Sequence, residues 1–75
     1  MKPSKITAGT KLLVTSSLGN EKLTAYFIRR VPAKGRGCPA VNYLRFPAFA
    51  GMDGPKDNGV CQMSDYDLSR RGEYA

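Results

Sequence analysis

Eight glycines and five prolines, spread over 75 residues, cut the chain into pieces too short for any long helix. Apolar residues at helical spacing are nearly absent. The stretches between the breakers are rich in β-branched and aromatic residues, which suit strands. ITAGTKLLVTS predicts a first strand near Lys11 to Ser16, and SLGNE a turn with Gly19-Asn20 at its tip. EKLTAYFIRRV, the longest coherent run, predicts a second strand that PAKGRG breaks. CPAVNYLRFP predicts a third strand starting after Pro39, because proline cannot donate to a ladder. A thirteen-residue loop, PAFAGMDGPKDNG, leads to VCQMS as a short fourth strand. SDYDLS makes one tight helical turn, with Ser64, Asp65 and Asp67 as its N-terminal caps. RRGEYA is then a final short strand or a frayed tail. MKPSK (residues 1–5) reads as a basic tail and residues 6–75 as one small domain, with no repeat and no linker.

Period-two alternation assigns faces. In the second strand Leu23, Ala25 and Phe27 share one face, with Thr24, Tyr26, Ile28 and Arg30 on the other. In the third, Ala40, Asn42, Leu44 and Phe46 oppose Val41, Tyr43 and Arg45. Turning Ala25, Phe27, Leu44 and Phe46 inward gives a core shared with Leu12, Val14, Cys61, Met63 and Leu68. Tyr26, Arg30, Tyr43 and Arg45 are then expected together on the outer surface. A shift of one residue would invert any of these assignments.

The pattern predicts an all-β domain: a small, bent, five-stranded antiparallel barrel with one short helical turn before the last strand. Four pieces carry a likeness: Gly9-Thr-Lys-Leu-Leu-Val14, Leu23-Thr-Ala-Tyr-Phe-Ile28, Val41-Asn-Tyr-Leu-Arg-Phe46 and Met63-Ser-Asp-Tyr-Asp-Leu68. Together, over about residues 8 to 72, they resemble a Src-homology-3-like (SH3-like) or Tudor-like barrel. The last piece is similar to the apolar-spacer-Asp-Leu ending that leads such domains into their final strand. The long loop after Phe46 departs from the compact pattern. The resemblance implies a binding module for nucleic acids, peptides or modified tails; a fold does not by itself choose among them.

Charge narrows the choice. Residues 1–45 hold nine basic side chains and one acid, Glu21, whereas residues 46–75 hold three basic and five acidic groups. A basic surface of this kind favours an anionic partner, most commonly nucleic acid. Arg29, Arg30, Lys34, Arg36 and Arg45 cluster if residues 32–39 join two neighbouring strands. Gly35 and Gly37 would let Arg36 and nearby backbone amides approach a phosphate. Tyr26 and Tyr43, interleaved with the cations, would stack on unpaired bases, a slight preference for single strands over duplex.

A second reading makes the chain a small inhibitor or accessory protein, of the kind mobile elements encode. It would dock on an acidic or nucleic-acid-handling protein through Phe49 and Met52; the plainer role for these two is a lid under the barrel. A third reading, an aromatic cage of Tyr26, Tyr43 and Tyr66 for a methylated tail, suffers from the cationic face around it. Arg70-Arg71 extends the basic surface if the last strand lies beside the first, and is otherwise a mobile terminal pair.

Other chemistries find little footing. Without histidine there is no Ser–His or Cys–His dyad, so the chain reads as a non-enzyme that needs no cofactor. Cys38 and Cys61 stand 23 residues apart and make no zinc site without acids to complete it. Asp53, Asp57 and Asn58 suggest calcium, but Ser64 stands where the loop's twelfth-position acid belongs. Gly9-Thr10-Lys11 lacks the first glycine and spacer of a nucleotide-binding loop. Nothing reads as a signal segment or a membrane span, which predicts a cytoplasmic chain with both thiols reduced and buried. Whether the two cysteines pair, and whether the chain is a monomer or a homodimer joined at a strand edge, stays open.

Overall fold

The computed structural model describes residues 2–16, 18–52 and 54–75. Five antiparallel strands form one sheet: β1 (Lys11–Thr15), β2 (Lys22–Val31), β3 (Val41–Arg45), β4 (Val60–Ser64) and β5 (Gly72–Tyr74). Their order across the sheet is β4-β3-β2-β1-β5, so consecutive strands are neighbours except the last, which crosses to pair with the first. Among the described residues one α-helix, α1 (Asp65–Arg71), sits just before β5.

Each strand falls where the sequence places it. Burial alternates as expected: Leu12 and Val14 in β1, Ala25 and Phe27 in β2, and Leu44 in β3 are buried. With Ile6, Phe46, Met63 and Leu68 they form one cluster, so the inner face of the sheet closes on a single core. Leu12, Val14, Leu44 and Leu68 are fully enclosed. Each such side chain stabilises the fold by about 1.5–3 kcal/mol, a large share for so small a domain.

The helix is longer than the predicted turn, because Arg70 and Arg71 finish it rather than begin the last strand. Its N-terminus is capped by Ser64, whose Oγ accepts from the Asp67 amide at 3.1 Å. Asp65 and Asp67 in the first turn and Arg70 and Arg71 in the last turn both suit the helix dipole.

Two expectations need correction. Residues 3–5 form a 3-10 turn packed beside α1, with Pro3 buried and Ile6 in the core, so this stretch is part of the domain rather than a loose tail. Met1 lies outside the described residues. Cys38 is exposed in the β2–β3 connection rather than buried, while Cys61 is half-buried against the core; both are free thiols.

The long loop after Phe46 opens with a 3-10 turn, Pro47–Phe49. It returns at Gly59, whose carbonyl accepts from the Phe46 amide at 2.8 Å. Gly59 adopts φ +74°, and a Cβ there would sit 2.3 Å from the Phe46 carbonyl oxygen. Both the backbone angle and the close approach demand glycine.

Candidate nucleic-acid interface

The site begins with a defect in the β2–β3 ladder. Tyr26 pairs with Arg45 and Phe27 with Leu44, but the next pair is Arg29 with Tyr43, so one residue, Ile28, is inserted into β2. Such a bulge turns every later side chain on its strand to the opposite face. Uninterrupted alternation would send Ile28 and Arg30 outward. Instead Arg29 faces outward beside Tyr43, and Arg30 turns inward beside the fully buried Asn42.

Arg30 therefore does not join Tyr26, Tyr43 and Arg45 on the outer surface. Its Nε donates to Asp65 Oδ1 at 3.1 Å and an Nη to Asp65 Oδ2 at 2.6 Å, a two-pronged ion pair that ties β2 to the start of α1. Asn42 Nδ2 donates to the same carboxylate at 2.8 Å and to the Met63 carbonyl at 3.2 Å. Exchanging the amide's nitrogen and oxygen would aim its oxygen at two acceptors, so its orientation is fixed. The Arg30 hydrogen bonds first, then that of Asn42, hold the Asp65 carboxyl below its ordinary pKa against the opposing effect of burial. The carboxylate, above all through its hydrogen bond, raises the pKa of Arg30 in turn.

What remains outside is an alternating surface. The register lines up Lys11, Tyr26, Arg45 and Val60 in one row across β1, β2, β3 and β4. The neighbouring row holds Arg29, Tyr43 and Gln62. The Arg45 guanidinium lies 4.8 Å from the centre of the Tyr26 ring, and that of Arg29 lies 4.4 Å from Tyr43. Both arginines are exposed and both tyrosines half-buried. The tyrosine faces expected to meet a ligand are thus already covered by guanidinium groups.

Beyond the Arg29–Tyr43 row, the hairpin runs into its loop. Gly35-Arg36-Gly37-Cys38 closes as a tight turn, with the Cys38 amide donating to the Gly35 carbonyl at 3.2 Å. Gly37 has φ +79°, as the third residue of a type II turn requires. The Lys34 amide also bonds inward, to the Cys38 carbonyl at 3.0 Å. The loop glycines therefore serve the turn; the amides of Lys34 and Cys38 are spent within it, while the Lys34 and Arg36 side chains stand exposed.

Lys11, Arg29, Lys34, Arg36 and Arg45 make no ion pair among the described residues, and residues 22–45 contain no acid. Lys11 was not anticipated; only the β1–β2 register reveals it, beside Tyr26. Lys22 is paired with Glu73, and Arg71 Nε donates to the Thr15 carbonyl at 2.8 Å. β5 does lie beside β1, but Arg71 turns back onto the β1 backbone and Arg70 lies over Tyr66 on α1.

The other candidates fare unevenly. Phe49 packs its ring 5.4 Å from that of Phe46 and against the core, the lid arrangement. Met52 is 72% exposed and rims a cleft of about 300 Å³ with Phe49, Val60 and Cys61. Tyr66 stands on α1, apart from Tyr26 and Tyr43 on the outer sheet face, so the three do not form a cage. Asp57 accepts from the Gly59 amide at 2.8 Å within its own turn; Asp53, the other half of the calcium pattern, lies outside the described residues. No group of three or more potential metal ligands occurs among the described residues, and no helix is long and apolar enough to cross a membrane. No family model matches the chain, and neither does any curated protein or solved structure.

Proposed function

We propose that the chain is a small non-enzymatic binding protein that holds nucleic acid by its phosphate backbone, using the outer face of the β2–β3 hairpin and its loop. One observation carries this reading: Lys11, Arg29 and Arg45 alternate with Tyr26 and Tyr43 on one exposed surface, and Lys34 and Arg36 extend it with no acid in between. Cations left without acidic partners are available to displace the counterions of a polyanion. The β4-β3-β2-β1-β5 order, with a helix before the last strand, agrees with the small bent sheet expected of such a binding module, though the fold does not by itself choose the ligand.

The test is fluorescence anisotropy of labelled single-stranded DNA, duplex DNA and RNA across a salt series. Five phosphate contacts on a single strand give a log–log slope of about −3.5, a loss of roughly a hundredfold between 50 and 200 mM salt. A slope shallower than about −1, or no binding at the lowest salt, would overturn the reading. In that event the exposed Met52 and the cleft it rims are the surface to test for a protein partner instead.

A further inference from the structure

We infer that the ligand is an unpaired strand whose bases stack on the guanidinium groups of Arg29 and Arg45, not on the tyrosines beneath them. The inference rests on the nucleic-acid reading and adds a ligand class to it. The two guanidinium groups lie over the Tyr43 and Tyr26 rings at 4.4 and 4.8 Å. Each ring is half-buried and each arginine exposed, so an incoming flat group meets a guanidinium first. A guanidinium is planar, weakly hydrated and able to stack on one aromatic face while offering its other side. The tyrosine below holds it in place, which lowers the entropy lost when a base arrives.

The spacing of the two shelves selects the form of the strand. Tyr43 and Arg45 are two residues apart on β3, so the backbone positions of the two pairs are offset by about 6.6–6.8 Å along the strand, and the rings that carry the guanidinium groups stand on different strands. Stacked bases in a duplex strand rise about 3.4 Å each. Two platforms offset by more than that rise and carried on different strands cannot both be covered by bases that stay stacked on each other, so neighbouring bases can occupy both only if the strand is splayed. Duplex bases are locked in their stack and offer only edges and backbone; an unpaired strand opens at little cost. Lys11 at one end and the Lys34–Arg36 loop at the other are placed to hold the flanking phosphates. The bulge at Ile28 is what builds the second shelf, since regular alternation would set an isoleucine beside Tyr43.

The experiment compares three DNA probes of about twelve nucleotides, a length within the range such sites cover: a mixed single strand, the same strand with abasic sites at its centre, and the matching duplex. Wild type and the R29K/R45K variant are titrated with each, and circular dichroism checks the fold. Lysine keeps the charge and loses the plane. The wild type should prefer the base-bearing strand to the abasic strand and to the duplex by about tenfold or more. R29K/R45K should lose that preference while keeping the salt slope and its affinity for the abasic strand. Equal wild-type affinity for all three probes overturns the inference and leaves the phosphate-binding reading standing, as does an R29K/R45K variant that keeps the full preference. Absence of salt-sensitive binding to every probe overturns both.

Discussion

Two adjacent arginines offer a direct comparison, because the bulge at Ile28 sends Arg29 and Arg30 to opposite faces. Arg29→Gln and Arg30→Gln remove the same charge from neighbouring positions. On the outer face, losing Arg29 removes one phosphate contact, which changes the single-strand salt slope by about 0.7, from about −3.5 to about −2.8. At 0.1 M salt the same contact is worth roughly fivefold in affinity from charge alone. Arg29 bonds to no acid and loses only its exposed contact with the Tyr43 ring, so its replacement should lower the melting midpoint less than that of Arg30. Arg30 holds both oxygens of Asp65, so its loss strips the carboxylate of two donors and unties β2 from α1. Its replacement should lower the melting midpoint by at least about 4 °C, since small domains lose several degrees for a modest loss of stability. The salt slope should stay as in wild type, because a charge on the far side of the sheet lies about a Debye length from a strand on the outer face. Anisotropy across a salt series and thermal melts followed by circular dichroism measure the two effects separately. The reasoning fails if the variants shift the slope equally, or if Arg29→Gln is the destabilised one.

Three further outcomes follow from the same geometry. The carboxyl of Asp65 is held below its ordinary pKa near 4, so its stabilising contribution is complete above about pH 4 and is lost as the pH falls through the depressed folded value. Melting midpoints between about pH 2 and 6 should drop on the acid side for wild type and flatten in Asp65→Asn; equal acid limbs would show that the ion pair contributes nothing. Gly59→Ala combines a left-handed backbone angle with a Cβ 2.3 Å from the Phe46 carbonyl oxygen, and should cost about 3 kcal/mol in urea unfolding, where a loss below about 1 kcal/mol would contradict the close approach. Burial, and then the negative charge of Asp57, push the Cys61 thiol up, so at neutral pH a thiol reagent should label the exposed Cys38 well before Cys61; equal rates would argue against the packing around Cys61.

The strands were legible because glycine and proline punctuate them, and because each interior pattern repeats every second residue. The core followed from that alternation, which also sets Asn42 on the face of Leu44; its Nδ2 reaches the Met63 carbonyl and Asp65, while its buried Oδ1 has no hydrogen-bond partner among the described residues. What the sequence concealed was where the alternation breaks. KLTAYFIRRV contains no glycine and no polar interruption at Ile28, so nothing local marks the inserted residue. The cause is visible only in three dimensions: inward placement of Arg30 is stabilised by Asp65, 35 residues away on the helix. The role of Lys11 is hidden in the sequence for a similar reason, since its neighbour Tyr26 is supplied by strand pairing rather than by chain proximity. Composition counted the positive charges correctly, yet a count cannot say which of them are free. Here Asp65 takes Arg30 and Glu73 takes Lys22. Among the cations left without acids are those the bulge and the β1–β2 register bring beside Tyr26 and Tyr43, together with those the loop turn exposes. Whether the ladder bulges at Ile28 therefore decides whether β2 presents an isoleucine or an arginine beside Tyr43. Deleting Ile28 should leave an unbroken ladder with the same partners, Arg29 beside Tyr43 and Arg30 beside Asn42, so the acid limb of thermal stability that Asp65 supplies should survive the deletion; its loss would show that the inserted residue does more than set the register.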